Sequence, residues 1–233
     1  MEHNRFVLSS IDYNTFNFED IIADGSCCFR SLANCLNFYN KNLKLILNKK
    51  NYFKLNNINE DNNLEYDYED WGYDGKEQQD VAKILQFLAK NYILKNWKLN
   101  IVNDYGYNTL GDFVIDTHNI SNKKEYDELY SVFSGDNNDS NNVWGSIVEL
   151  YALSKILNIP INVYSLFRYY KKSKETKMVK LTQKRTVPIN TRLRIVNIFG
   201  KEYNKKKEIN ILFEYSKNEL HHFTALYPKD FKL

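Results

Sequence analysis

The sequence predicts an α+β (α/β-like) domain, a small central β-sheet flanked by helices. Three observations predict it: helical periodicity dominates residues 27–157, strand alternation dominates after Pro160, and proline and glycine are scarce, at three and eight in 233 residues. Taken in order, Phe29, Leu32, Cys35 and Leu36 recur at helical spacing after Asp24-Gly25-Ser26, so a helix starts at or just after Ser26. Residues 77–97 repeat Val81, Ile84, Leu85, Leu88 and Tyr92 with helical period. A third helix covers residues 144–157, and Pro160 stops its continuation. Residues 159–164, 192–199 and 209–215 alternate as strands, the last ending shortly before His221-His222. Helices first and strands last imply a mainly sequential sheet late in the chain. With so few linker signals, residues 1–233 read as one domain with a core at about 18–230 and a polar insertion at about 49–75.

Composition narrows the function classes. The chain is 43% hydrophobic, 15% aromatic and 26% charged, with mean hydropathy −0.58, which fits a folded protein in water. No run approaches the roughly 18 apolar residues of a membrane span, and MEHNRFVLSS lacks a basic flank followed by an apolar core. The expected location is cytoplasmic, in the host's cytosol if the chain comes from a virus or an intracellular bacterium, with no membrane partner. Three cysteines, two of them adjacent, and four histidines make neither a disulfide framework nor a paired zinc pattern, so no metal is expected.

The net charge of +3 hides two blocks. Residues 60–80 hold nine acidic side chains against Lys76 alone, and residues 168–185 hold eight basic ones against Glu175. Each reads first as solvated surface. The tracts rich in Asn, Lys and Tyr are compositional bias and carry little weight.

The chemistry centres on Asp24-Gly25-Ser26-Cys27. A cysteine attacks as its thiolate, and a position in the first turn of a helix favours that form through the macrodipole. Gly25 permits a tight turn that directs backbone N–H groups toward a developing oxyanion, and Asp24 is suited to holding the turn by accepting backbone hydrogen bonds. The same residues also fit a capped helix with a buried structural cysteine. Cys28, one position on, points about 100° away around the helix and into the protein. Among possible bases, His3 lies near the N-terminus and His118 in a polar segment between elements. His221 and His222 follow a strand, near the sheet edge, and alternation lets only one of them face the cysteine.

Three blocks together resemble the OTU (ovarian tumour) family of cysteine proteases. Asp24-Gly25-Ser26-Cys27-Cys28-Phe29-Arg30-Ser31-Leu32-Ala33 resembles the family's nucleophile block, an Asp-Gly-x-Cys turn followed by Leu-Phe-Arg. Trp144-Gly145-Ser146-Ile147-Val148-Glu149-Leu150-Tyr151-Ala152-Leu153-Ser154 resembles its central helix, written Trp-Gly-Gly, then Glu-Leu and Ala-Leu-Ala or Ser. His222-Phe223-Thr224-Ala225-Leu226 resembles its terminal block. Their order agrees with the family, and they span nearly the whole chain.

The resemblance implies a papain-like OTU fold and a deubiquitinase. It makes Cys27 the nucleophile, His222 the general base, and Asp24, Gly25, Ser26 and Cys27 the oxyanion loop, with Asp24 part of the catalytic set. Ubiquitin or polyubiquitin is the implied partner, and no cofactor is needed. The family's orienting Asp or Asn falls at Thr224, which carries no charge, so the third member is open between Thr224, Asp24 and an upstream carboxylate (Asp12, Glu19 or Asp20). Cys28, Ser146 and Phe223 replace Leu, Gly and Tyr of the family pattern, as small or apolar exchanges, and His221 is read as exposed. Asp67, Glu69 and Asp70 in the acidic block are candidate contacts to the basic-rimmed apolar face of ubiquitin. Two other classes stay in view: a catalytically weak module that only binds ubiquitin, and a nucleic-acid-binding module. The lysines of the basic block are not interleaved with aromatic residues in a stacking pattern, which makes nucleic acid an unlikely partner.

Overall fold

The computed structural model describes residues 10–39, 71, 75–101, 105–131, 144–168, 177–181, 186–189, 191–203, 208–215 and 221–229. The architecture is α+β. In chain order it has β1 (Ser10–Asp12), a 3-10 turn (Tyr13–Thr15), β2 (Phe16–Glu19), α1 (Cys27–Tyr39) and α2 (Lys76–Lys95). There follow α3 (Leu110–His118), α4 (Lys123–Leu129), α5 (Ile147–Leu157), β3 (Ile161–Arg168), β4 (Met178–Lys180), β5 (Thr186–Pro188), β6 (Thr191–Phe199), β7 (Ile209–Tyr215) and β8 (His221–Pro228).

Six strands form one sheet in the order β1-β6-β3-β7-β8-β2, and β4 and β5 make a separate hairpin. The expected sequential order is therefore corrected in two ways. β3 and β7 pair in parallel, and the early strands β1 and β2 close the two edges. These two strands are short, and neither shows an apolar alternation strong enough to be read from sequence. Only Tyr13–Thr15 separates them. Four Cα steps reach about 14 Å, whereas the edges of a flat six-stranded sheet lie about 24 Å apart, so the sheet must curl. The curl encloses a small core of Tyr13, Phe16, Tyr164, Leu193, Leu212 and Leu226.

The larger core lies on the other face. Helix α1 packs there between α2 on one side and β7 and β8 on the other, and every residue from Cys27 to Leu36 is buried. A helix apolar nearly all round belongs in a core, and Phe29, Leu32 and Cys35 supply the apolar contact here. Helix α5 packs against α2 and α3 and reaches β3 and β6. It begins at Ile147 rather than at Trp144, because Ser146 is its N-cap and Trp144 to Ser146 run as an extended approach. Asn158 ends it in the left-handed conformation at φ 54°. Among the described residues no helix is long and apolar enough to cross a membrane.

Candidate active site

The turn before α1 is held from several sides. Gly25 has φ +83°, a conformation that residues with a Cβ seldom adopt. Asp24 Oδ1 accepts the Ser26 N–H at 2.9 Å and the Ser26 hydroxyl at 2.5 Å. Its Oδ2 accepts Arg30 Nε at 3.1 Å and Nη2 at 2.9 Å. Arg30 lies one helical turn into α1, so its guanidinium folds back over the turn. It also donates to Ser26 Oγ at 2.8 Å and, across to α2, to Gln78 Oε1 at 3.1 Å. The Ser26 N–H is thus taken by Asp24, while the N–H groups of Cys27 and Cys28 approach the Cys27 sulfur.

Cys27 is the first residue of α1 and is 1% exposed. The macrodipole alone would favour its thiolate, but burial outweighs it and pushes the thiol up to about 12. The Phe223 N–H works against that shift, the Asp24 charge adds to it, and the N–H groups of Cys28 and Cys27 oppose it again. The place of the thiol follows from the strand register. β2 pairs with β8 only from Glu19 opposite Ala225 to Phe16 opposite Pro228. Phe223 lies beyond that pairing, and its ladder N–H, in the plane of the sheet, lies near the Cys27 thiol. The sulfur therefore occupies the edge of β8 that β2 leaves open, beside the peptide joining His222 to Phe223.

β8 is an inner strand, not an edge strand, yet at His222 its outer side is uncovered by β2. Alternation sends Phe223 and Ala225 toward the α1 core, and His222 and Thr224 to the face shared with Leu226. Thr224 is fully buried there. Directly across from His222 in the β7–β8 register is Glu214, a residue that no local pattern singles out. Two of the upstream carboxylates have partners of their own. Asp12 caps the 3-10 turn through the Asn14 N–H at 2.8 Å, beside the opposite edge strand. Glu19 accepts the Tyr227 hydroxyl, and burial raises its pKa.

His118 is not in a loop. It ends α3, where its buried Nε2 meets Glu149 Oε1 at 2.9 Å. Burial alone would lower the His118 pKa, but the Glu149 charge and hydrogen bond raise it on balance. Burial alone would raise the Glu149 pKa, but the His118 charge and its hydrogen bonds lower it. Glu149 is fully buried in the first turn of α5 and also accepts Tyr126 Oη at 2.9 Å, Ser146 N at 2.8 Å and Ser146 Oγ at 2.6 Å. The spacing Ser146-x-x-Glu149 is a capping box and was readable as one. The histidine on α3 was not. Cys28 is buried, with its Sγ 3.7 Å from the Ser146 carbonyl, as its place on the helix implies.

His3, Asp67, Glu69, Asp70, the insertion at about 49–75 apart from Trp71 and Gly75, and most of the basic block lie outside the described residues, as does the His221 side chain. Among the described residues, no three His, Cys, Asp or Glu side chains converge as a metal site.

No protein-family model and no curated protein matches the chain. Among solved structures, the chain is similar to the Hazara virus OTU bound to ubiquitin, at 15% identity and TM-score 0.43 over 94% of this chain and 86% of that one. It is also similar to the viral OTU domain protease from Taggert virus, at 14% identity and TM-score 0.46 over 97% of this chain and 88% of that one.

Proposed function

We propose that the chain is a thiol-dependent deubiquitinase of the OTU type, cleaving the isopeptide or peptide bond at the C-terminal glycine of ubiquitin. The observation that carries the reading is the position of Cys27. A cysteine at the first residue of a buried helix, after a left-handed glycine turn, rests against the strand backbone at His222. Those two residues stand in two of the three blocks that resemble the OTU family. In the reaction, His222 accepts the Cys27 proton as the sulfur attacks the scissile carbonyl carbon. The oxyanion is stabilised by the Cys27 N–H, while Asp24 fixes the turn that aims it. His222 then protonates the leaving lysine amine, the C–N bond breaks, and water hydrolyses the thioester with His222 again as base. The imidazole is oriented by Thr224 or Glu214, its polar neighbours on the same face in β8 and β7. No metal or organic cofactor enters, and the cytosol is the place of action.

A second reading, a ubiquitin-binding module with weak catalysis, is favoured by the uncharged Thr224 at the orienting position. Polyubiquitin incubated with the native chain and with Cys27→Ala separates the two. Cleavage by the native chain alone supports the enzyme. Binding by both with the chains left intact refutes the enzyme in favour of the module.

A further inference from the structure

The buried Glu149 cluster has no step in the reaction above, yet its geometry leads back to the nucleophile turn. A carboxylate has about four lone-pair sites, and only its ionised form offers them all as acceptors. Glu149 fills them with four donors: Tyr126 Oη and His118 Nε2 on Oε1, and Ser146 N and Oγ on Oε2. Protonated Tyr and Ser hydroxyls and a backbone N–H bring no charge, so His118 is the one cation that balances the buried carboxylate among these partners. Tyr130, packed on the His118 ring, extends the same framework by donating to the Trp144 carbonyl at 3.3 Å.

Glu149 thus fixes Ser146 by two bonds, and Tyr130 fixes Trp144. Between them stands Gly145, buried and pressed on α1, where an added Cβ would lie 2.7 Å from Phe29 Cε2 and 2.8 Å from Cys28 Cβ. The Gly145 N–H donates to the Gly25 carbonyl at 3.3 Å. The peptide between Gly25 and Ser26 is consequently gripped at both ends, its carbonyl by Gly145 and its N–H by Asp24 at 2.9 Å. That peptide immediately precedes the Cys27 N–H, so its rotation sets the direction in which the Cys27 donor points.

We propose that Glu149, through its bonds to Ser146, is a positioning residue for the Gly25–Cys27 turn, acting by way of Ser146 and Gly145. The proposal rests on the deubiquitinase reading for its kinetic consequence but not for its structural one. Glu149 is fully buried and offers no surface to a substrate, so losing the grip misaims the oxyanion donor and leaves substrate affinity alone.

The test compares native protein with Glu149→Leu, Glu149→Gln and Ser146→Ala. It uses a fluorogenic amide of the ubiquitin C-terminus as substrate, and amide hydrogen exchange at Ser26 and Gly145 read by NMR. Glu149→Leu is expected to lower kcat at least tenfold with KM within twofold, and to speed exchange at both amides. Glu149→Gln keeps one oxygen for both Ser146 donors and is expected to recover most of kcat and of the protection. Should Glu149→Leu fail to fold, Ser146→Ala, which deletes only the 2.6 Å bond and the cap, is expected to speed Gly145 exchange and lower kcat in the same pattern. Unchanged exchange at Ser26 and Gly145 in folded Ser146→Ala and Glu149→Leu overturns the proposal, as does a loss expressed in KM alone. If the native chain leaves the ubiquitin amide uncut, the deubiquitinase reading falls, and the exchange data still decide the role of Glu149.

Discussion

Arg30→Ala strips the nucleophile turn of its central tie, and its cost can be worked from the contacts. The Arg30 side chain is 4% exposed and makes two hydrogen bonds to Asp24, one to Ser26, one to Gln78 and a longer one to the Gly75 carbonyl. Removing one partner of a buried ion pair costs about 3–5 kcal/mol, because the other charge is left uncompensated. Asp24 retains 18% exposure and stays partly hydrated, which places the loss at the lower end, about 3 kcal/mol. For a chain of this size that corresponds to a Tm drop of about 6–12 °C. Arg30→Lys keeps the charge but cannot span Asp24, Ser26 and Gln78 with one ammonium group, so it recovers only about half of the loss. The assay is urea unfolding followed by circular dichroism, with Asp24→Asn and the double variant completing a cycle. A coupling energy above about 1 kcal/mol is expected for residues in one such network. A loss under about 1 kcal/mol for Arg30→Ala, or strict additivity with Asp24→Asn, would refute this account of the turn.

Gly145→Ala forces its Cβ against Phe29 and Cys28, and the overpacking should cost about 1–3 kcal/mol in urea midpoint, with kcat falling alongside. The His118–Glu149 pair gives a pH window whose sign follows from the two shifts. His118, raised above 6.5, contributes stability that is fully present below 6.5 and lost as pH rises through its folded pKa. Glu149, lowered below 4.5, contributes stability present above 4.5 and lost as pH falls through its folded pKa. The Tm difference between native protein and His118→Gln should therefore be greatest between pH 4.5 and 6.5 and shrink at higher pH, and a difference that grows toward pH 9 contradicts the pairing. Cys27, with its thiol pushed up to about 12, should react with iodoacetamide roughly three-thousandfold more slowly at pH 7.5 than a free thiol of pKa about 8.5, its rate still climbing at pH 10. A rate already level below pH 7 would mean a resting thiolate and a different proton inventory.

Much of the fold could be read from sequence where one signal dominates. Helices α1 and α2 and strands β6 and β7 carry long apolar periodicities, and their limits are close to expectation. Sheet order could not be read, because β1 and β2 have three and four residues and gain their place by closing the edges of a curled sheet. Helices α3 and α4 were missed for a related reason: they are short, polar on one side, and fixed by caps at Thr109 and Asn122 more than by periodicity. At the site, motif and order brought Cys27 and His222 into view. Burial could not be read, and burial reverses the expected direction of the Cys27 shift. Glu214 and His118 owe their significance to pairing across strands and between helices, which local spacing does not encode.

The most direct test of the central claim is reaction with a ubiquitin probe carrying a C-terminal electrophile, followed by peptide mapping of the adduct. One adduct is expected, on Cys27, lost in Cys27→Ala, kept in Cys28→Ala and strongly slowed in His222→Ala. A folded native chain that forms no adduct, or an adduct mapped to Cys28 or Cys35, would contradict that claim.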